Sequence, residues 1–137
     1  MNNVFINSDL CIIKSSNTKD RHHESISFMR NIFYFSKTET DIFIIEGENS
    51  APAESDNNIF WNPRGCVWLR SVIWGLPGVD YFVDWKKRGF DKHSIVADPQ
   101  FVNSQIDDYS LKRNSPAFKV GFQPIDISNV GIRGMTK

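Results

Sequence analysis

Cysteine is scarce in this chain. Cys11 and Cys66 are the two present, too few for a disulfide framework and without the spacing of a metal motif. Both read as small buried core residues. No apolar run approaches the roughly 18 residues needed to cross a bilayer. The start, Met1-Asn2-Asn3-Val4-Phe5, lacks the basic region, apolar stretch and small-residue cleavage site of a secretory signal. Net charge is also absent, since sixteen basic residues balance sixteen acidic ones. The longest basic run is Lys86-Lys87-Arg88. A nucleic-acid binder needs a basic stripe, so nucleic acid is excluded as the expected partner, as is a membrane. No nucleophile elbow or Gly-rich phosphate loop occurs, and no cofactor is implied. His22-His23-Glu24 lies on a polar segment and reads as solvated, so no metal site is expected.

What the chain does have is apolar and aromatic mass. At 40% hydrophobic and 13% aromatic residues, 137 residues suffice for one domain with a true core.

A repeat organises the first half. Asn3-Val4-Phe5-Ile6, Asn31-Ile32-Phe33-Tyr34 and Asn58-Ile59-Phe60-Trp61 each run Asn, β-branched, Phe, bulky apolar, at offsets of 28 and 27 residues. A second apolar run follows each copy: Cys11-Ile12-Ile13, Ile42-Phe43-Ile44-Ile45 and Cys66-Val67-Trp68-Leu69. Runs this short and rich in β-branched and aromatic residues read as strands. Their period holds two or three strands with turns and no long helical segment. Stacked repeats place equivalent residues above one another, so Val4, Ile32 and Ile59 are expected in one interior column and Ile6, Tyr34 and Trp61 in another. Phe5, Phe33 and Phe60 are then expected outside, as a binding stripe or the seat of a covering segment. Asn3, Asn31 and Asn58 fall at the preceding turn, bonding to neighbouring amides. Ser25-Ile26-Ser27-Phe28 is a further strand with the same alternation. The expected fold is all-β, a right-handed parallel β-helix of about three coils over residues 1–70. An antiparallel sandwich is the alternative.

Residues 71–137 read as a loop, one short helix at about 81–88 and an irregular C-terminal capping tail of the same domain. Asp80 is the expected N-cap, Phe82 and Trp85 share a helix face, and Gly89 ends the helix. Phe101 reads as an anchor after Asp98-Pro99.

The tail carries Trp85-Lys86-Lys87-Arg88-Gly89, Asp91-Lys92-His93-Ser94, Ala97-Asp98-Pro99 with Phe101, Asp108-Tyr109-Ser110-Leu111-Lys112, Ser115-Pro116-Ala117 and Gly121-Phe122 with Pro124-Ile125-Asp126. In order and spacing this run resembles the C-terminal portion of bacterial right-handed parallel β-helix proteins, pectate-lyase-like and glycoside-hydrolase-like carbohydrate-active chains. The resemblance implies the last coils and cap of a polysaccharide-processing protein, with the catalytic carboxylates supplied elsewhere. It also implies an extracellular or periplasmic setting for the parent family. No catalytic position carries across residue by residue.

Glycosidic cleavage needs two carboxyl groups about 5 or 6.5–9.5 Å apart. Asp41, before a strand, and Asp56, two residues ahead of Asn58, fall where coil edges would border a groove; both also suit solvated turns. Trp68 and Trp74 are the tryptophans best placed to stack on sugars, whereas Trp61 reads as core. The sequence therefore sets two functional classes side by side. One is the terminal part of a polysaccharide-processing enzyme. The other is a non-enzymatic module that binds glycan or self-associates through an uncapped N-terminal strand edge.

Overall fold

The computed structural model describes residues 1–6, 11–16, 27–35, 41–46, 54–64, 68–72, 80–87 and 89–126, with residues 11–16, 41–46, 68–72 and 80–81 described by their backbone. The Asn-β-Phe-apolar repeats form β1 (Val4–Ile6), β4 (Ile32–Tyr34) and β7 (Ile59–Trp61). The runs that follow them form β2 (Cys11–Ser16), β5 (Asp41–Glu46) and β8 (Trp68–Val72). Two strands precede repeats: β3 (Ser27–Met29) and β6 (Glu54–Asp56). The expected start of β3 at Ser25-Ile26 lies outside the described residues.

Pairing follows the repeat. Val4, Ile32 and Ile59 are successive partners in parallel strands, as are Phe5, Phe33 and Phe60, and Ile6, Tyr34 and Trp61. A fourth strand, β10 (Ile95–Val96), joins β7 in parallel, with Ile95 beside Ile59. Parallel strands in register repeat at about 4.8 Å, and the phenylalanine rings inherit that spacing. Phe5 and Phe33 stack at 5.0 Å, Phe33 and Phe60 at 4.9 Å, with interplanar angles of 7° and 8°.

The all-β right-handed parallel β-helix of about three coils is nevertheless not what the described residues form. They make four separate small sheets, and no solenoid is identified among them. β2, β5 and β8 are parallel, but β9 (Asp80–Tyr81) closes that sheet antiparallel to β8. β3 and β6 form a parallel pair, and β11 (Phe101–Asn103) pairs antiparallel with β12 (Asp108–Leu111). Helix α1 (Phe82–Lys87) and two 3-10 segments, Ser104–Ile106 and Pro116–Val120, complete a mixed arrangement. The repeat specifies register between short strands. Beyond Val72 the spacing fails: β10 still pairs in parallel, but β9, β11 and β12 pair antiparallel and α1 is helical.

The expected sides of the sheet are also corrected. The phenylalanine column does not face outward: Phe33 and Phe60 are fully buried with Phe35 and Trp85, and Phe5, Phe28, Phe82 and Phe90 pack on them. The opposite face is buried as well. Ile32 and Ile59 pack with Phe101, Ala117, Val120 and Phe122, flanked by Val4, Tyr34, Ile95, Tyr109 and Leu111. A sheet covered on both sides loses the inside–outside alternation of a half-exposed strand and reads as continuous apolar sequence. The described part of the tail thus covers the isoleucine face, while α1 covers the phenylalanine face.

Asp80 belongs to β9 and is not the helix cap. Phe82 and Trp85 do share a buried side: Phe82 lies 5.2 Å from Phe60, and Trp85 is almost completely buried. Gly89 adopts φ +101° and its amide donates to the Lys86 carbonyl, ending the helix as its sequence suggests.

Each repeat is entered through a left-handed residue, Asn2, Arg30 or Asn57, with φ between 55° and 60°. The asparagine that follows bonds across strands. Asn31 Oδ1 accepts from the amide of Asn3 at 3.0 Å and its Nδ2 at 3.3 Å. Asn58 Oδ1 accepts likewise from Asn31, at 2.8 and 3.1 Å. In the next layer Ser94 stands in for asparagine, its hydroxyl accepting from the Asn58 amide at 2.7 Å and donating to Asp91 Oδ1 at 2.6 Å. Asp91 is fully buried. Its Oδ1 also accepts from Asn58 Nδ2 at 2.8 Å, and its Oδ2 accepts from Ser55 Oγ and Trp85 Nε1, both at 2.7 Å.

This column is stable because every buried polar atom named here has a partner, and removing one strands the others. Asn58→Ala is expected to cost about 3 kcal/mol or more, since it orphans the buried Asn31 amide and removes one donor each from the Phe28 carbonyl and from Asp91 Oδ1. Asn3→Ala, at the exposed end of the column, is expected to cost under about 1 kcal/mol. Urea unfolding of both variants checks the ordering, and equal losses would contradict it.

Candidate functional site

A cleft of about 420 Å³ opens where the third apolar column meets the tail. Tyr34 and Trp61, neighbours across β4 and β7, form its aromatic wall. Phe101 at the start of β11 forms its floor, edge-on to Tyr34 at 5.5 Å and to Tyr109 at 5.2 Å. Asp98, Gln100, Ser104, Lys112 and Asn114 supply the polar rim, and Pro63 closes one side.

Local sequence explains the rim. Gln100 takes a left-handed conformation, φ 57°, while its amide donates to Asp98 Oδ1 at 2.8 Å. Its carbonyl accepts from the Lys112 amide at 3.0 Å, tying the two tail segments together. Behind them Ser115 is buried, and its hydroxyl donates to the Pro99 carbonyl at 2.6 Å. The backbone under the cleft is therefore fixed by internal hydrogen bonds. Asp98, Lys112 and Asn114 are exposed, and Tyr34, Trp61 and Gln100 are half-buried. Asp98 and Lys112 form no ion pair among the described residues. Their charged ends face solvent and are available to a ligand.

Of the candidate sugar-contact residues named from sequence, Asp56 is the one whose side chain is described, and it is not among the described residues lining the cleft. Asp41 is the first residue of β5, paired with Cys11, and Trp68 is the first of β8, paired with Tyr81. Trp74 lies outside the described residues, as do His22, His23 and Glu24. Asp56 ends β6, where it is structural. Its Oδ1 accepts from the amides of Asn57 at 2.8 Å and His93 at 2.7 Å, and its Oδ2 lies 2.6 Å from His93 Nδ1. Partial burial opposes the charge of Asp56. The hydrogen bonds from the His93 ring and from the His93 and Asn57 amides outweigh it, helped by the charge of a protonated His93, and hold the carboxyl below its usual 3.8. His93 accordingly holds the turn ahead of β10.

Sequence reasoning assigned Trp61 to the core and missed Tyr34, Asp98, Gln100, Lys112 and Asn114. The available signal was size. The third column grows from Ile6 to Tyr34 to Trp61, and rings that large on a covered face must emerge where the cover ends. Among the described residues no group of three or more His, Cys, Asp or Glu could hold a metal, and no helix is long and apolar enough to cross a membrane.

Comparison with family models, with curated proteins and with solved structures gives no match for this chain.

The Asp56 geometry sets an acid limit. A carboxyl depressed on folding contributes stability above its unfolded value and loses it as the pH falls through the folded one. The stability difference between wild type and Asp56→Asn is expected to hold near neutrality and to shrink once the pH falls below 3.8. Chemical denaturation across pH 2 to 7 checks this, and a difference unchanged at the acid end would contradict it.

Proposed function

We infer that the chain is a non-catalytic glycan-binding module whose cleft takes a short stretch of polysaccharide. The observation that carries this reading is the pairing of two half-buried aromatic side chains, Tyr34 and Trp61, with a rim of Asp98, Gln100, Lys112 and Asn114. A sugar presents an apolar C–H face and a ring of hydroxyls. Aromatic rings cover the first, and carboxylate, ammonium and amide groups bond the second. The rim mixes one acid and one base, which suits hydroxyls better than a strongly charged ligand. Asp98 is the one carboxylate among the described lining residues, whereas glycosidic hydrolysis by the usual routes needs a pair. Binding without cleavage is what these groups can do.

A glycan array followed by calorimetry on the best ligand tests the proposal. Binding is expected, with Trp61→Ala weakening it about tenfold or more while the circular dichroism spectrum is unchanged. Lys112→Ala, at an exposed rim position, is expected to weaken binding several-fold with no loss of stability. No bound glycan, or a glycan held equally by the Trp61→Ala variant, would overturn the reading.

A further inference from the structure

The sheet β1-β4-β7-β10 has unlike edges. Along it one donor–acceptor step recurs: the Ile32 amide donates to the Asn3 carbonyl at 2.9 Å, Ile59 to Asn31 at 2.8 Å and Ile95 to Asn58 at 2.9 Å. The carbonyl that would receive the next strand belongs to Ser94. Lys86 Nζ already donates to it at 2.7 Å, and to the Lys92 carbonyl at 3.3 Å. The β10 edge is thus capped at this step by an ammonium from α1.

Among the described residues the β1 edge carries no such cap. By the same step the Val4 amide points away from β4, where a preceding carbonyl would stand. Among the described residues the side-chain column is open there too. Asn31 and Asn58 each accept two hydrogen bonds at Oδ1 from the layer before, whereas Asn3 Oδ1 accepts none among the described residues. Burial declines in step, from fully buried Ile32 and Phe33 to half-buried Val4 and Phe5 and exposed Asn3. No described strand pairs with the outer side of β1.

We propose that the β1 edge binds an extended peptide that adds in parallel and carries Asn, a β-branched residue, Phe and a bulky apolar residue in succession. The incoming asparagine carbonyl accepts from the Val4 amide, and its backbone and side-chain amides donate to Asn3 Oδ1. Its phenylalanine stacks on Phe5 as Phe33 does from the other side, and its apolar residues extend the Val4 and Ile6 columns. Main-chain bonds supply affinity and the alternating side chains supply specificity, the usual division in strand addition. A second copy of the chain fits less well. The β10 edge is closed to head-to-tail addition by Lys86, and a twofold pairing of two β1 edges in the plane of the sheet runs antiparallel, which does not continue the asparagine column.

The probe is a labelled peptide of the sequence Arg30–Phe35 with two added lysines, titrated against the full chain by fluorescence anisotropy. Saturable binding is expected, weakened about tenfold when the peptide's asparagine is replaced by alanine. In the protein, Val4→Pro removes the donor at an edge position that tolerates proline, and is expected to abolish binding while the fold persists. Should that variant fail to fold, Asn3→Ala removes the acceptor and is expected to weaken binding about tenfold. Absence of binding overturns the proposal, as does binding indifferent to these substitutions. So does sedimentation showing a dimer that Val4→Pro dissociates.

Discussion

Burying the carboxyl group of Asp91 requires that both oxygens be fully hydrogen-bonded, and the elements around it are arranged to do so. The donors come from four places: Ser55 in β6, Asn58 at the entry to β7, Trp85 in α1 and Ser94 ahead of β10. A carboxyl buried with too few donors destabilises a fold by several kcal/mol. Here the requirement works in reverse, because the donors must converge for the group to be buried at all. That convergence docks the helix on the sheet and ends the asparagine column. Asp91 itself sits at φ 48°, a left-handed conformation that aspartate tolerates and most residues do not.

From this anchor the two faces of the sheet divide the labour. On one side the stacked phenylalanines meet Trp85 and Phe82, so the helix held by Asp91 also covers the aromatic core. On the other the tail lies over the isoleucines and is pinned back to the start of the chain. Asn2 Nδ2 donates to the Gln123 carbonyl at 2.8 Å and Asn2 Oδ1 accepts the Gln123 amide at 2.7 Å. Gly121 makes this return possible. Its φ of +79° closes the 3-10 turn, and a β-carbon there would stand 3.3 Å from the Arg30 side chain. The cleft is a consequence of this cover. Tyr34 and Trp61 are too large to be enclosed by the segments that enclose Ile32 and Ile59, so their rings border the opening between strand and tail.

The parts of this arrangement legible in the sequence are those set by short-range repetition. Three copies of Asn, β-branched, Phe and apolar predict parallel register, and Val4, Ile32 and Ile59 do align. The spacing of Phe82 and Trp85 and the glycine at 89 likewise reported the helix and its end. The overall class was misjudged because register between strands does not dictate how the intervening segments close, and the antiparallel β9 and the β11–β12 pair break the pattern. The two-sided burial of the sheet was hidden for a related reason. Alternation distinguishes two faces but does not say which is wet, and here neither is. The fourth member of the column, Ser94-Ile95-Val96, escaped notice because serine replaces asparagine and the interval lengthens to 36 residues. The cleft residues were out of reach altogether. Trp61 and Lys112 become neighbours only through the tail's path, which no local pattern encodes.

Amide hydrogen exchange in the Asp91→Ala variant, under conditions where it remains folded, tests most directly whether Asp91 holds the column. Protection of the Asn58 amide, bonded to the Ser94 hydroxyl that Asp91 orients, is expected to fall most. Asn31 should lose less, and Asn3 least. Unchanged protection at Asn58, or a uniform loss across all three amides, would contradict the account.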